Sequence, residues 1–317
     1  MTWLDGSDVD KNRLSIGDKL GTGGQGDVYD LLGQGSGHVY KAYKSAAVNG
    51  DALARLVALP RALTDTERTR LLRQSAWPLA RVVDAGRVTG FIMRKVPPEF
   101  WGRAKAGPRL RELQYLLYEP KPLWGDITPL DAASRLEVAR QAAALFFLLH
   151  AKGLVMGDIS MRNLLWAPSP TAIFLLDCDG FRTVGSKAVM DQPHTPDWND
   201  PHQPAAGPDL DSDRYKLALL VARVLTKTAT VRPGEPLTFV PGLPERVTTA
   251  VAARFADAGR ARGLRPDAWR WMRALDDRDS VDLPPLGPVR PRPNLPKTPM
   301  DGKRGPRPTI PLPPPPS

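Results

Sequence analysis

The chain of 317 residues has a single cysteine, Cys178, and four histidines, His38, His150, His194 and His202. One thiol cannot close an internal disulfide, and no Cys/His set stands at metal-ligand spacing. A disulfide scaffold and a structural zinc site are therefore both excluded. Long apolar runs are missing too. The longest, Ala142 to Leu149, has eight residues, far below the ~20 that a membrane-spanning helix requires. The opening MTWLDGSDVDKNRL holds no apolar stretch of the signal-peptide kind. These absences point to a reducing cytoplasm and to no membrane partner.

Negative charge is in deficit, with 44 Lys/Arg against 34 Asp/Glu and a net charge of +10. No nucleic-acid-binding motif accompanies the excess, so specific nucleic-acid binding is not expected. Part of the excess lies in the final segment, where Asp282 to Ser317 holds six Lys/Arg and two Asp. The same stretch carries fourteen prolines between Pro284 and Pro316. Proline lacks a backbone donor and favours extended polyproline II, so residues 281–317 read as a disordered tail. PxxP spacing, as at Pro288 to Pro291, makes that tail a candidate docking segment for a partner with an aromatic groove. Thr298 and Thr309 place hydroxyls beside its basic residues.

Ahead of the tail, 42% hydrophobic residues supply a sizeable core. RLSIGDKL, DVYDLL and HVYKAYK read as strands separated by glycine clusters, and PLARVVDAG and GFIMRKV as two more. Residues 51–74 between them have helical composition. Beyond about residue 100 the signal turns mainly helical. Ser134 and Glu137 form a capping-box pattern at the head of an apolar helix that runs to His150. Further helices are expected over Tyr215–Leu225, Glu245–Ala258 and Pro266–Leu275. Strands followed by helices, without an internal repeat, predict an α+β architecture in two lobes, over residues 12–96 and 97–280.

GTGGQGDVY places Gly21, Gly23 and Gly26 in GxGxxG spacing. The residues after it are β-type rather than helical, which argues against a dinucleotide-binding unit and for a hairpin that covers phosphates. Val28 lies on the strand that follows the turn, and Lys41 on the next one. Further on, HAKGLVMGDISMRNLLW holds Asp158 and Asn163 five residues apart, and AIFLLDCDGF places Asp177 and Asp179 after an apolar strand. An aspartate facing a hydroxyl, with an asparagine and a second aspartate on Mg²⁺, is the residue set that phosphoryl transfer needs.

In these motifs the chain resembles the protein kinase superfamily over roughly residues 12–280, and is most similar to bacterial kinase-like proteins with a GDI-x-x-x-N loop and a D-x-D-x-F metal motif. The resemblance implies a bilobal kinase fold and an ATP- and Mg²⁺-dependent transferase acting on Ser/Thr hydroxyls of a protein substrate. It assigns ATP binding to Gly21, Gly23, Gly26, Val28 and Lys41, and catalysis to Asp158, Lys41 and Asn163. Metal binding falls to Asn163 and Asp177, with Asp179 as a second acid. It further implies a carboxylate partner for Lys41 from the following helix, for which Glu67 is the candidate. SDRYKLALLVARVL is similar to the buried helix of the kinase C-lobe, with Asp213 near its start. Arg265 would pair with Asp197 or Asp200 in place of the usual glutamate. Two cations of the kinase pattern are missing, since Gly157 precedes Asp158 where an arginine is usual and Ser160 replaces a lysine. Thr183, Ser186 and Thr195 are hydroxyls on the segment from Asp177 to Pro201, but without the arginine their phosphorylation is not expected to be required. A small-molecule phosphotransferase and a nucleotide-binding pseudokinase scaffold are the competing readings.

Overall fold

The computed structural model describes residues 7–191 and 195–276; the whole proline-rich segment 281–317, with Thr298 and Thr309, lies outside them. Strand β1 (Val9–Asp10) is followed by β2 (Ile16–Thr22), β3 (Gly26–Leu31) and β4 (His38–Tyr43). Helices α1 (Gly50–Ala58) and α2 (Asp65–Arg73) come next, then β5 (Pro78–Asp84) and β6 (Arg87–Arg94). The six strands form one sheet in the order β1-β5-β6-β4-β3-β2, antiparallel except where β1 meets β5. This is the meander that the glycine-bounded apolar runs predict. The helical stretch 51–74 divides in two around Pro60, whose missing donor stops α1 from continuing.

The second region opens with a hairpin, β7 (Trp101–Ala104) and β8 (Gly107–Leu110), and a short helix α3 (Gln114–Leu117). Then come the long helix α4 (Ala132–Ala151), β9 (Leu154–Val155), β10 (Leu164–Pro168), β11 (Thr171–Leu175) and β12 (Arg182–Thr183). Helices α5 (Leu210–Thr226), α6 (Glu245–Ala258) and α7 (Ala268–Leu275) complete it. β10 pairs with β11 and β9 with β12, both antiparallel. A sheet followed by mainly helical chain bears out the α+β reading. The cap of α4 is a correction: Asp131 accepts from the Ser134 N–H, three residues ahead of the expected Ser134 cap. Both are good cap residues, and the helix starts at the earlier one. The capping box in this chain belongs to α2, where Thr64 and Glu67 cap each other.

The largest apolar core runs from Ala52 of α1 to Leu275 of α7. Trp77 and Phe181 meet in it with ring centroids 5.4 Å apart, and the Trp77 indole donates to the Leu56 carbonyl. α5 is its axis, with every residue from Tyr215 to Thr226 buried. Arg265, bonded twice to Asp200 at 2.7 and 2.9 Å, ties α7's approach to the segment before α5. Of the two expected partners it is Asp200; Asp197 reaches Arg232 instead. Among the described residues no helix is long and apolar enough to cross a membrane.

Candidate active site

The glycine turn is the tip of the β2–β3 hairpin, in register as Gly21↔Val28 and Thr22↔Asp27. The Gly23 N–H donates to the Gly26 carbonyl at 2.8 Å, and the Lys44 ammonium caps the Gly23 carbonyl at 2.7 Å. The three glycines of the motif are there for different reasons. A Cβ on Gly26 would stand 2.6 Å from the Ala42 carbonyl oxygen, so the close approach of β4 forbids one. A Cβ on Gly21 would meet nothing within 4 Å, and one on Gly23 only the Gly26 oxygen at 3.5 Å. The fold leaves the space over those two glycines open.

Val28 lies directly across from Lys41 in the β3–β4 ladder, and Phe91 across from Lys41 on β6. The central strand thus carries Lys41 inward, where its side chain is buried. Its Nζ donates to Asp179 Oδ1 at 2.8 Å and to Asp177 Oδ1 at 3.2 Å, and sits 5.7 Å from the centre of the Phe91 ring. Tyr43, one pleat further along β4, donates its hydroxyl to Asp179 Oδ2 at 3.1 Å. Burial acts to lower the Lys41 pKa, but Asp179 and Asp177 outweigh it and lift the ammonium above the usual lysine range. Burial and the same two acids push the Tyr43 phenol well above its ordinary value. Tyr43 gave no signal in the sequence beyond its spacing of two from Lys41.

Glu67 is not the partner of Lys41. It closes the α2 capping box and pairs with Lys152 at 2.9 Å. The other acids of α1 and α2 do not serve either, because Asp51 is exposed and Asp65 pairs with Arg68. The carboxylate that meets Lys41 comes instead from 138 residues away.

The two aspartates of that pair sit differently. Asp177 ends the run through β11 with a positive φ of 50°, and its side chain is 59% exposed. This left-handed residue turns the chain into the tight turn Cys178–Gly180, an arrangement that aspartate tolerates better than most residues. Asp179, inside that turn, is only 2% exposed and has one oxygen on Lys41 and the other on Tyr43. One ammonium between two carboxylates leaves a surplus negative charge at this spot.

Asp158 follows β9 in a loop held from beneath. Asn163 donates its amide Nδ2 to the Asp158 carbonyl at 2.8 Å and to Asp158 Oδ2 at 2.9 Å. Asp213, fully buried in the first turn of α5, accepts from the Met156 and Gly157 N–H groups at 2.7 and 2.9 Å. Lys216, one turn further along α5, donates to the Gly157 carbonyl. Burial pushes the Lys216 ammonium below the usual lysine range, while Asp158, Asp213 and Asp200 act to raise it. Thr195 touches Asp158 from the other side, its N–H at 3.4 Å from Oδ1 and its hydroxyl at 3.1 Å from Oδ2. Thr195 is therefore engaged with the loop rather than standing as a simple surface acceptor. The strand that delivers Asp177 is tied to the same loop, since the Leu176 N–H donates to the Asn163 carbonyl at 2.8 Å.

Among the described residues no cluster of three or more His, Cys, Asp or Glu forms a complete metal cage. Mg²⁺ does not require one, because it commonly takes one or two carboxylates and completes its shell with phosphate oxygens and water. The exposed Asp177 fits that use, as does Asn163, whose amide nitrogen is committed to Asp158 while no hydrogen bond among the described residues engages its Oδ1.

No family model matches the chain. It is 30% identical over 172 residues to protein kinase YegI of Escherichia coli K12, an alignment that covers 53% of this chain and 23% of that protein. The YegI protein of E. coli O157:H7 is likewise 30% identical over 173 residues, 53% of this chain and 24% of that one. The chain thus spans about a quarter of the length of these curated relatives. The resemblance read from the motifs is borne out as a distant similarity: over about half its length the chain is similar to a protein kinase.

Proposed function

We propose that the chain is an ATP- and Mg²⁺-dependent phosphotransferase with a bilobal kinase fold, divided near residues 96 and 97, that phosphorylates Ser/Thr hydroxyls of protein. The observation that carries this reading is the convergence of Lys41, Asp177 and the Asp158–Asn163 loop, each delivered by a separate part of the chain. Gly21 and Gly23 leave backbone room for phosphates to approach, and Val28 stands beside Lys41 on the neighbouring strand. Lys41 offers the nucleotide phosphates a permanent positive charge, because its acids keep it protonated. Asp177 and Asn163 would hold Mg²⁺, which when bound neutralises charge on the transferring phosphate. Asp158, with Asn163 fixing one oxygen, aligns the acceptor hydroxyl and takes its proton as the oxygen attacks.

Incubation with [γ-³²P]ATP and Mg²⁺, with protein acceptors and small hydroxyl compounds in parallel, tests the reading. Label on protein supports it. Label on small molecules alone would make the chain a small-molecule phosphotransferase. MgATP binding without any transfer would make it a pseudokinase.

A further inference from the structure

The catalytic loop lacks two cations, and the structure holds one that the mechanism above leaves unused. Lys216 sits in mid-α5 with no exposed surface. Its neighbours Tyr215 and Leu217 to Leu220 are buried apolar residues, so an apolar side chain would suit the helix at least as well. An ammonium taken fully out of water costs several kcal/mol unless other groups compensate. The one hydrogen bond Lys216 makes among the described residues goes to the Gly157 carbonyl. Its charge is felt by Asp158, Asp213 and Asp200, all of which favour the protonated form. Nearby in the loop, the Ser160 hydroxyl is buried without a hydrogen-bond partner among the described residues.

Lys216 and Asp213, one helical turn apart, grip the same residue from its two sides. Asp213 takes the Gly157 N–H and Lys216 donates to the Gly157 carbonyl. Gly157 has a positive φ of 79°, which glycine adopts without strain, and its peptide groups on both sides are fixed by these two side chains. The next residue is Asp158.

We propose that Lys216 is a positioning residue for Asp158, which fixes the Gly157 peptide and supplies from α5 the positive charge that the loop lacks at Gly157 and Ser160. The inference rests on the phosphotransferase reading. It places the cation beneath the loop, where it meets the loop's backbone and the field of Asp158, and not on the face that meets the nucleotide.

The test compares Lys216→Met, which keeps length and loses charge, with Lys216→Arg, which keeps charge, in steady-state phosphotransfer by the full chain. Lys216→Met should lower kcat on the order of 10²-fold, the scale of a small misplacement of a reacting group. KM for MgATP should stay unchanged, and Lys216→Arg should recover most of the rate. A merely structural lysine would not split kcat from KM in this way. If Lys216→Met does not fold, Lys216→Gln carries the same comparison, because it can donate to the Gly157 carbonyl without charge. Wild-type kcat in either neutral variant overturns the proposal. So does an Arg variant as slow as the neutral ones, or failure of both neutral variants to fold, which would make the residue structural. Absence of transfer by the wild type overturns the phosphotransferase reading and this inference with it, whereas transfer that is indifferent to Lys216 overturns the inference alone.

Discussion

The charged clusters around Lys41 and around Asp158 are built in opposite ways. At Lys41 the carboxylates come from 136 and 138 residues away, and one of the two, Asp177, faces solvent. At Asp158 the amide of Asn163 is a local partner and Thr195 adds contacts from 37 residues away, while the buried α5 holds the loop through Asp213 and Lys216. An open acid can take a cation that in turn holds phosphate oxygens, whereas a loop held from the buried helix stays fixed. In the proposed phosphotransferase, exchange with ligand would fall to Asp177 and rigid alignment to Asp158, while Asp179 is the internal anchor of the first cluster.

The sharpest way to break this division is to separate the two aspartates. Asp179→Ala leaves the buried Lys41 ammonium with Asp177 alone and takes the acceptor from the Tyr43 hydroxyl, and should lower stability by about 2–3 kcal/mol in denaturant unfolding. Asp177→Asn removes an exposed charge but keeps a side chain that tolerates the positive φ, and should leave stability nearly unchanged while raising the Mg²⁺ concentration needed for activity. Equal stability losses would mean that the two residues share one role.

The glycines offer a second separation. Gly26→Ala forces a Cβ against the Ala42 carbonyl and should cost about 1–3 kcal/mol by overpacking. Gly23→Ala meets no such contact, so it should keep the wild-type melting temperature and weaken MgATP binding measured by calorimetry. Unchanged binding would remove the turn from the nucleotide site.

How far the site was legible in the sequence follows the same contrast. The sequence singled out Asp158 and Asn163 together, and six consecutive residues carry both groups and the bonds between them, but the contacts from Thr195, Asp213 and Lys216 come from far along the chain. Lys41 could be placed by the strands on either side of it. Its partner could not, because Glu67 and Asp179 are equally acceptable acids until the fold decides which one approaches. The capping box of α2 was itself a local clue that Glu67 was already occupied. Asp200 was one of two candidates for Arg265, both within reach along the chain. The β7–β8 hairpin gave little signal, since WGRAKAGPRL lacks apolar alternation. Tyr43 and Lys216 read as ordinary members of a strand and a helix, and their importance lies wholly in what the tertiary fold sets beside them.

Glu67 supplies a smaller test. With its oxygens on Thr64 and Lys152, Glu67→Gln should leave both kcat and MgATP affinity at wild-type values. A large loss of nucleotide affinity would restore it as the partner of Lys41.

The smallest expected effect concerns acid stability. Burial raises the Asp209 carboxyl, but the Ser212 N–H and Arg262 outweigh it and hold the group below the usual carboxylate range. The folded state therefore binds this proton less readily than the unfolded chain does. The stabilisation is complete above the ordinary value near 3.8 and is lost as pH falls through the lower folded value. Asp209→Ala should cost about 1 kcal/mol at neutral pH, as the loss of an N-cap, and its stability should fall less steeply than wild type below about pH 4.

The most direct test of the whole account is single-turnover transfer from [γ-³²P]ATP by wild type and Asp158→Asn, with MgATP affinity measured on the same samples. The account predicts a loss in transfer of about 10²–10⁴-fold, the usual contribution of a positioned acid–base group, with MgATP affinity unchanged because Asp158 serves the acceptor hydroxyl. Wild-type transfer by Asp158→Asn at saturating MgATP would contradict it.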